Sequence, residues 1–160
     1  MAVLAPQARS EPGARDKPLV LRLRVPNSRA ELEPARLAVA EFLGTQTTDA
    51  KATYVVELAL EETLMNVIWH GFTDEDVHFI DLTVTRLPNS IELCFEDDGR
   101  PFDPTVQTFP NLPTNLEQAR PGGFGLLLVR KLAKTVRYQR FANRNQLVIG
   151  VAMPERVSAV

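Results

Sequence analysis

The chain has a single cysteine, Cys94, and two histidines, His70 and His78, among 160 residues. One thiol excludes an internal disulfide and a cysteine-built zinc site. Two imidazoles are a poor basis for a metal centre on nitrogen ligands. A basic excess is missing as well: 18 Lys and Arg against 20 Asp and Glu leave a formal net charge of −2. That argues against a nucleic-acid surface, which normally carries a surplus of cations. No apolar run approaches the length that spans a bilayer, so no membrane association is expected. The opening MAVLAPQARSEPGARDKP has no apolar core like that of a signal peptide. Residues 1–18 read as a disordered tail rich in Ala, Arg and Pro, residues 154–160 as a second tail, and the cytoplasm is the default compartment. With 44% apolar and 24% charged residues, the rest suits one soluble globular domain with a full core.

What is there is organised around residues 55–72, VVELALEETLMNVIWHGF, which read as one long helix. At about 100° per residue, Val55, Leu58, Met65, Asn66 and Trp69 lie within roughly 60° of the Glu62 direction. Glu62 and Asn66 are therefore neighbours inside an apolar stripe. Leu60, Leu64 and Val67 occupy the opposite side, so the helix is expected to be covered on both sides, with Glu57 and Glu61 at a wet edge. A carboxylate in such a stripe costs several kcal/mol unless it is paired. Either a partner elsewhere in the chain meets it, or the stripe opens onto a polar cavity.

Before this helix, residues 19–25 alternate apolar residues with Arg22 and Arg24, the period of a half-buried strand. Pro26-Asn27-Ser28 ends it. A helix to about Phe42 follows, with Pro34 in its first turn, Leu37, Ala40 and Phe42 facing inward, and Gly44 as its stop. The TQTTD turn caps the long helix, and Gly71 ends it. Residues 77–86 and 91–95 form a hairpin around Pro88-Asn89-Ser90. After residues 96–104, EDDGRPFDP, come about twenty residues without periodicity, and a loop of that length is usually functional or mobile. Pro121-Gly122-Gly123-Phe124-Gly125 closes it before an apolar helix, residues 126–132. Strands 136–141 and 146–153 end the domain around an Ala142-Asn143-Arg144-Asn145 turn. No internal repeat is evident.

Each candidate site has a plain structural reading beside the chemical one. Gly122, Gly123 and Gly125 bring backbone N–H groups and a positive helix end to one spot, which suits phosphate, although such a run is often only a turn. No strand leads directly into it and no Gly-Lys-Ser/Thr follows, so it is neither the dinucleotide fingerprint nor a P-loop. Asp97 and Asp98 before Gly99 suit a solvated turn; at the mouth of a cleft, a carboxylate there accepts a hydrogen bond from a ligand amine. Glu62 and Asn66 suit a satisfied buried pair, or a general base beside an oxygen ligand for Mg²⁺. His70 reads as helix-end packing.

Taken in order, Glu62-x-x-x-Asn66-x-x-x-His70-Gly71, Asp97-Asp98-Gly99-Arg100-Pro101-Phe102-Asp103-Pro104 and Gly122-Gly123-Phe124-Gly125-Leu126 resemble the GHKL ATPase superfamily, which includes histidine kinases, gyrase B and MutL. The compact length and the Pro-Phe-Asp-Pro run resemble the bacterial anti-sigma-factor serine/threonine kinases within it. The resemblance covers residues 19–153 and implies a Bergerat-type α+β fold: a two-layer sandwich of one mixed, mostly antiparallel sheet with helices on one face. It implies ATP and Mg²⁺ as ligands, Glu62 as the general base and Asn66 as the Mg²⁺ ligand. It implies Asp97 as acceptor of the adenine amino group, with Gly99 letting the base approach. Residues 103–121 match the lid over the nucleotide. Phe102, Arg120, Gly122, Gly123, Phe124, Gly125 and Leu126 complete the nucleotide site, with Arg120 reaching toward the γ-phosphate. Two departures stand out. The threonine that the wider family places on a late strand near adenine is not evident in Gln146-Leu147-Val148-Ile149, and Pro101 stands where many relatives have glycine.

The expected function is transfer of phosphate from Mg·ATP to a serine or threonine of a small antagonist protein, coupled to sequestering a sigma factor. A homodimer is expected by analogy, and no direct contact with nucleic acid. Two alternatives remain. A histidine-kinase ATP-binding domain needs a phosphoacceptor histidine on a helical hairpin ahead of it, where this chain has a tail and a strand. A non-catalytic nucleotide-dependent interaction module has less reason to keep Glu62 in an apolar stripe.

Overall fold

The structure, a computed structural model, describes residues 2–3, 18–46, 49–108 and 124–154. Strand β1 (Ala2–Val3) is followed by β2 (Leu19–Pro26), a 3₁₀ turn (Arg29–Glu31), helices α1 (Leu32–Gln46) and α2 (Ala50–His70), strands β3 (Phe79–Leu87) and β4 (Ser90–Asp97), helix α3 (Gly125–Leu132), and strands β5 (Thr135–Phe141) and β6 (Arg144–Ala152). The expected two-layer sandwich is present, with sheet order β1-β2-β3-β4-β6-β5. A mixed sheet was the expectation; instead every described pairing is antiparallel. The crossover from β4 through α3 to β5 does join two strands that run in the same direction. β6 folds back between them and pairs with both, so no parallel ladder forms.

Within residues 1–18, expected as a tail, Ala2 and Val3 lie opposite Arg24 and Leu23 and add a short ladder at the sheet edge. Among the described residues no helix is long and apolar enough to cross a membrane.

Alternation decides which face is covered. Leu23, Val25, Ile80, Leu82, Leu93, Phe95 and Ile149 point toward the helices and are buried, each contributing about 1.5–3 kcal/mol of transfer free energy. The other face is laced with polar pairs: Arg144 with Asp81, Arg137 with Glu92, and Gln146 donating to Glu96. Cys94 stands among them, its thiol pushed up to about 11 by burial and by Glu96 and Glu92.

Helix α1 meets the core through Ala35, Val39 and Leu43, while Leu37 is 54% exposed. Of the expected inward residues Leu37 therefore faces out, Ala40 is half-buried and Phe42 packs against the core, and the helix runs past Gly44, its expected stop. Helix α2 starts earlier than its apolar run does, because Asp49 caps it: its Oδ1 accepts from the Ala52 N–H at 2.6 Å. Gly71 ends it, its N–H donating to the Val67 carbonyl at 2.8 Å.

The last hairpin is tighter than its sequence suggests. Ala142 and Asn143 both have positive φ, 48° and 62°, and Phe141 pairs with Arg144. A two-residue loop with that geometry matches the twist of its strands. Arg144 and Asn145, expected in the turn, belong to β6, and Asn145 lies directly opposite Asp97.

Candidate nucleotide site

One side of α2 is sealed and the other is not. Val55, Val56, Ala59, Leu60 and Leu64 are buried against the sheet and α1. Glu62, Met65 and Asn66 instead line a cavity of about 940 Å³ that also takes in Gly71, Asp97, Phe102, Leu126, Tyr138 and Asn145. That volume lies in the range of small-molecule sites. The apolar stripe around Glu62 thus opens onto a cavity, and among the described residues no cation pairs with its carboxylate.

The Glu62 wall is closed by α3. A Cβ built on Gly125 would overlap the Glu62 carboxyl group, so the bare α-carbon of the first residue of α3 rests on that carboxylate. Partial burial, with repulsion from Glu61 adding to it, raises the Glu62 pKa above the ordinary carboxylate value.

The opposite wall is built on the turn after β4. Asp97 is 4% exposed, and its Oδ1 accepts from the Gly99 N–H and from Asn145 Nδ2, both at 2.8 Å. The turn is fastened to the end of α2 by Arg100. Its backbone N–H donates to the Gly71 carbonyl at 2.7 Å, and its guanidinium donates twice to the His70 carbonyl at 3.1 and 2.7 Å. A cation at a helix C-terminus satisfies carbonyls that have no partner within the helix. This clamp sets the spacing between the helix that carries Glu62 and the strand end that carries Asp97.

Residues 25–151 match the family described as the histidine kinase-like ATPase domain. The chain belongs to that family. A serine/threonine-protein kinase, BtrW, of Bordetella bronchiseptica is 33% identical over 100 residues, covering 62% of this chain and 70% of the relative. A serine-protein kinase, RsbW, of Oceanobacillus iheyensis is 25% identical over 121 residues, covering 73% and 77% respectively.

Of the residues that the ATPase-domain resemblance singles out, the structure brings Glu62, Asn66, Asp97, Phe102 and Leu126 to one cavity. Gly125 touches Glu62. Gly99 has a packing duty in the turn. A Cβ there would meet the Gly71 carbonyl oxygen at 2.6 Å and Asp97 Oδ1 at 2.8 Å, so its bare α-carbon serves the packing of the turn on α2. Phe124 precedes α3 and its carbonyl accepts from the Leu128 N–H. Arg120, Gly122, Gly123 and most of the expected lid, 103–121, lie outside the described residues. The described start of that segment is held by Asp103, whose Oδ1 accepts from the Thr105 N–H at 2.8 Å and hydroxyl at 2.6 Å. His70 contributes its carbonyl, while its side chain is exposed.

Three residues escaped the sequence reading: Asn145, Tyr138 and Arg140. Tyr138 and Arg140 point inward from β5, and both donate to Asn145 Oδ1, at 2.8 and 2.7 Å. Arg140 also donates to the Gly99 carbonyl at 3.0 Å. The signal that could have found Arg140 is the tight Ala142-Asn143 loop, which fixes the β5–β6 register and puts Arg140 opposite Asn145; the pairing of β6 with β4 puts Asn145 level with Asp97.

The donor set suits a divalent ion held mainly by a bound nucleotide. Among the described residues no cluster of three His, Cys, Asp or Glu side chains forms a metal cage. Asn66 offers an amide oxygen in the cavity that Glu62 also lines. Mg²⁺ keeps several waters and normally takes only one or two protein oxygens beside substrate phosphates.

Proposed function

We propose that the protein is an ATP-dependent protein serine/threonine kinase that phosphorylates a small antagonist protein and couples that transfer to sequestering a sigma factor. The observation that carries this reading is a single cavity with two differently prepared carboxylates. Glu62 has a raised proton affinity and a glycine α-carbon over it. Asp97 is buried with one oxygen committed to the protein. The first suits a base and the second suits recognition of an amine.

In this reading Asp97 receives the adenine amino group and the triphosphate extends along α2 toward Gly125 and Glu62. The acceptor hydroxyl oxygen attacks the γ-phosphorus, the bond from γ-phosphorus to the bridging oxygen breaks, and ADP leaves. Glu62 takes the hydroxyl proton. Asn66 would hold Mg²⁺, which would supply charge neutralisation at the phosphate oxygens. The rest of the catalysis is positioning. Two relatives named as serine or serine/threonine kinases support a protein hydroxyl as acceptor. The sigma factor and the antagonist rest on the resemblance of the Pro-Phe-Asp-Pro subgroup.

The test is calorimetric titration with ATP and with GTP, each with and without Mg²⁺, followed by transfer of labelled γ-phosphate to a candidate antagonist. ATP should bind more tightly than GTP, Mg²⁺ should strengthen it, and label should appear on a serine or threonine. Binding without transfer would leave a nucleotide-dependent interaction module. Failure to bind either nucleotide removes both readings.

A further inference from the structure

Asn145 makes its contacts in only one orientation. Its Oδ1 lies against Arg140 Nη1 and the Tyr138 hydroxyl, at 2.7 and 2.8 Å. A guanidinium has donors and no acceptor, so the atom facing Arg140 must be the amide oxygen. The NH₂ group is thereby turned toward the Asp97 turn. There it donates to Asp97 Oδ1 at 2.8 Å and to the Arg100 carbonyl at 2.9 Å, with the Gly99 carbonyl at 3.4 Å. Both amide hydrogens are spent on the protein. Asp97 Oδ1 is filled from two sides, by Asn145 and by the Gly99 N–H. Among the described residues Oδ2 takes no hydrogen bond, and both Asp97 and Asn145 line the cavity.

From this geometry we infer that Asn145, keyed by Arg140 and Tyr138, is the positioning residue that makes this end of the cavity acceptor-only and so selects a 6-aminopurine over a 6-oxopurine. The inference rests on the nucleotide reading above and adds the source of its base preference. An exocyclic amine finds Oδ2 fixed in place. A 6-oxo group finds that same oxygen and no amide hydrogen to receive it, so two acceptors face each other and one goes unsatisfied.

The test uses the full chain and three Mg²⁺-nucleotides that differ only at purine position 6: ATP, purine riboside triphosphate and inosine triphosphate. The wild type should prefer ATP to inosine triphosphate by about 10- to 100-fold, the range of one hydrogen bond to a charged group. Asn145→Ala frees the carboxylate to rotate and admits water, and should shrink that ratio by about tenfold or more. Arg140→Met removes the donor that keys the amide and should shrink it in the same direction, and it decides the matter if Asn145→Ala does not fold. An equal loss of affinity for all three nucleotides, with the ratio unchanged, assigns Asn145 a structural role only and overturns the inference while the nucleotide site stands. A wild type that binds none of the three overturns the nucleotide reading itself.

Discussion

The α-carbon of Gly125 rests on the carboxyl group of Glu62, leaving no room for a methyl group between the start of α3 and the side chain of α2. The atoms that a Cβ would meet are the far end of a flexible side chain. Gly125→Ala should therefore fold, at a cost of about 1–3 kcal/mol for an overpacked contact, toward the low end because the far end of a side chain can move aside. It should turn Glu62 away from the position it holds, and phosphate transfer should fall about 100-fold, the scale of a displaced general base. Thermal unfolding alongside a transfer assay checks both parts. Unchanged transfer would mean that the contact has no bearing on the chemistry.

Glu62 itself gives a second test. Glu62→Gln keeps the volume and removes the base, so transfer should drop by about 10²- to 10⁴-fold while nucleotide affinity stays within a few-fold of wild type. Burial raises the Glu62 pKa above 4.5, and the base works only when deprotonated. The acidic limb of the wild-type rate profile should therefore be centred above that value. A limb at or below it would remove Glu62 as the titrating base.

Asp97→Asn should reverse the base preference rather than abolish binding. The Gly99 N–H and the Asn145 amide are both donors, so the new side chain must present its oxygen to them and its NH₂ to the cavity. ATP affinity should fall by about 10- to 100-fold, and inosine triphosphate should become the tighter ligand. Competition titration reads the order directly. An unchanged preference for ATP would take Asp97 out of base recognition.

His78 provides a pH-dependent contribution to stability. Its Nε2 lies 2.7 Å from Asp74 Oδ1 and its Nδ1 3.3 Å from Asp98 Oδ1, with its ring stacked on Phe72. The hydrogen bond to Asp74 is the main reason that its pKa is raised above 6.5, with charge attraction from Asp74 and Asp98 adding to it. A pKa raised by folding means that the stabilisation is complete below 6.5 and is lost as pH rises through the higher folded value. Thermal unfolding should show the wild type losing stability over that window and His78→Gln losing less of it. Parallel curves for the two proteins would show that the cluster does not bind the proton more tightly when folded.

Ala142 holds φ at 48°, a region that costs a residue with a Cβ about 1–2 kcal/mol. Glycine enters it freely but loses more chain entropy on folding. Ala142→Gly should therefore stabilise the protein by roughly 0.5 kcal/mol and raise Tm by about 1–2 °C. A lower Tm would mean that the turn does not carry this strain.

Several parts of the site were legible because they are local. Glu62 and Asn66 stand four residues apart on one helix, so periodicity alone put them side by side in an apolar stripe. Asp97 and Gly99 form one turn whose hydrogen bond spans two residues. The helix boundary at Gly71 and the apolar helix after Gly125 likewise follow from neighbouring residues, and the two-layer architecture was implied by the family resemblance of the motifs.

Which residues meet across the chain was decided elsewhere. Periodicity put Leu37 inward on α1, but the sheet and α2 meet Ala35, Val39 and Leu43 instead. The family resemblance implied a mixed sheet, but β6 lies between β4 and β5 and every described pairing is antiparallel. Asn145 looked like a turn residue, and only the pairing of β6 with β4 brought it level with Asp97. The sequence by itself determined the helix that carries Glu62 and Asn66 and the turn that carries Asp97, because hydrogen bonds and side-chain periods of a few residues govern both. The tertiary structure alone decided that α3 lies on Glu62 and that Arg140 and Tyr138 aim Asn145 at Asp97. Those relationships depend on strand register and packing between distant segments, and no local interaction encodes them.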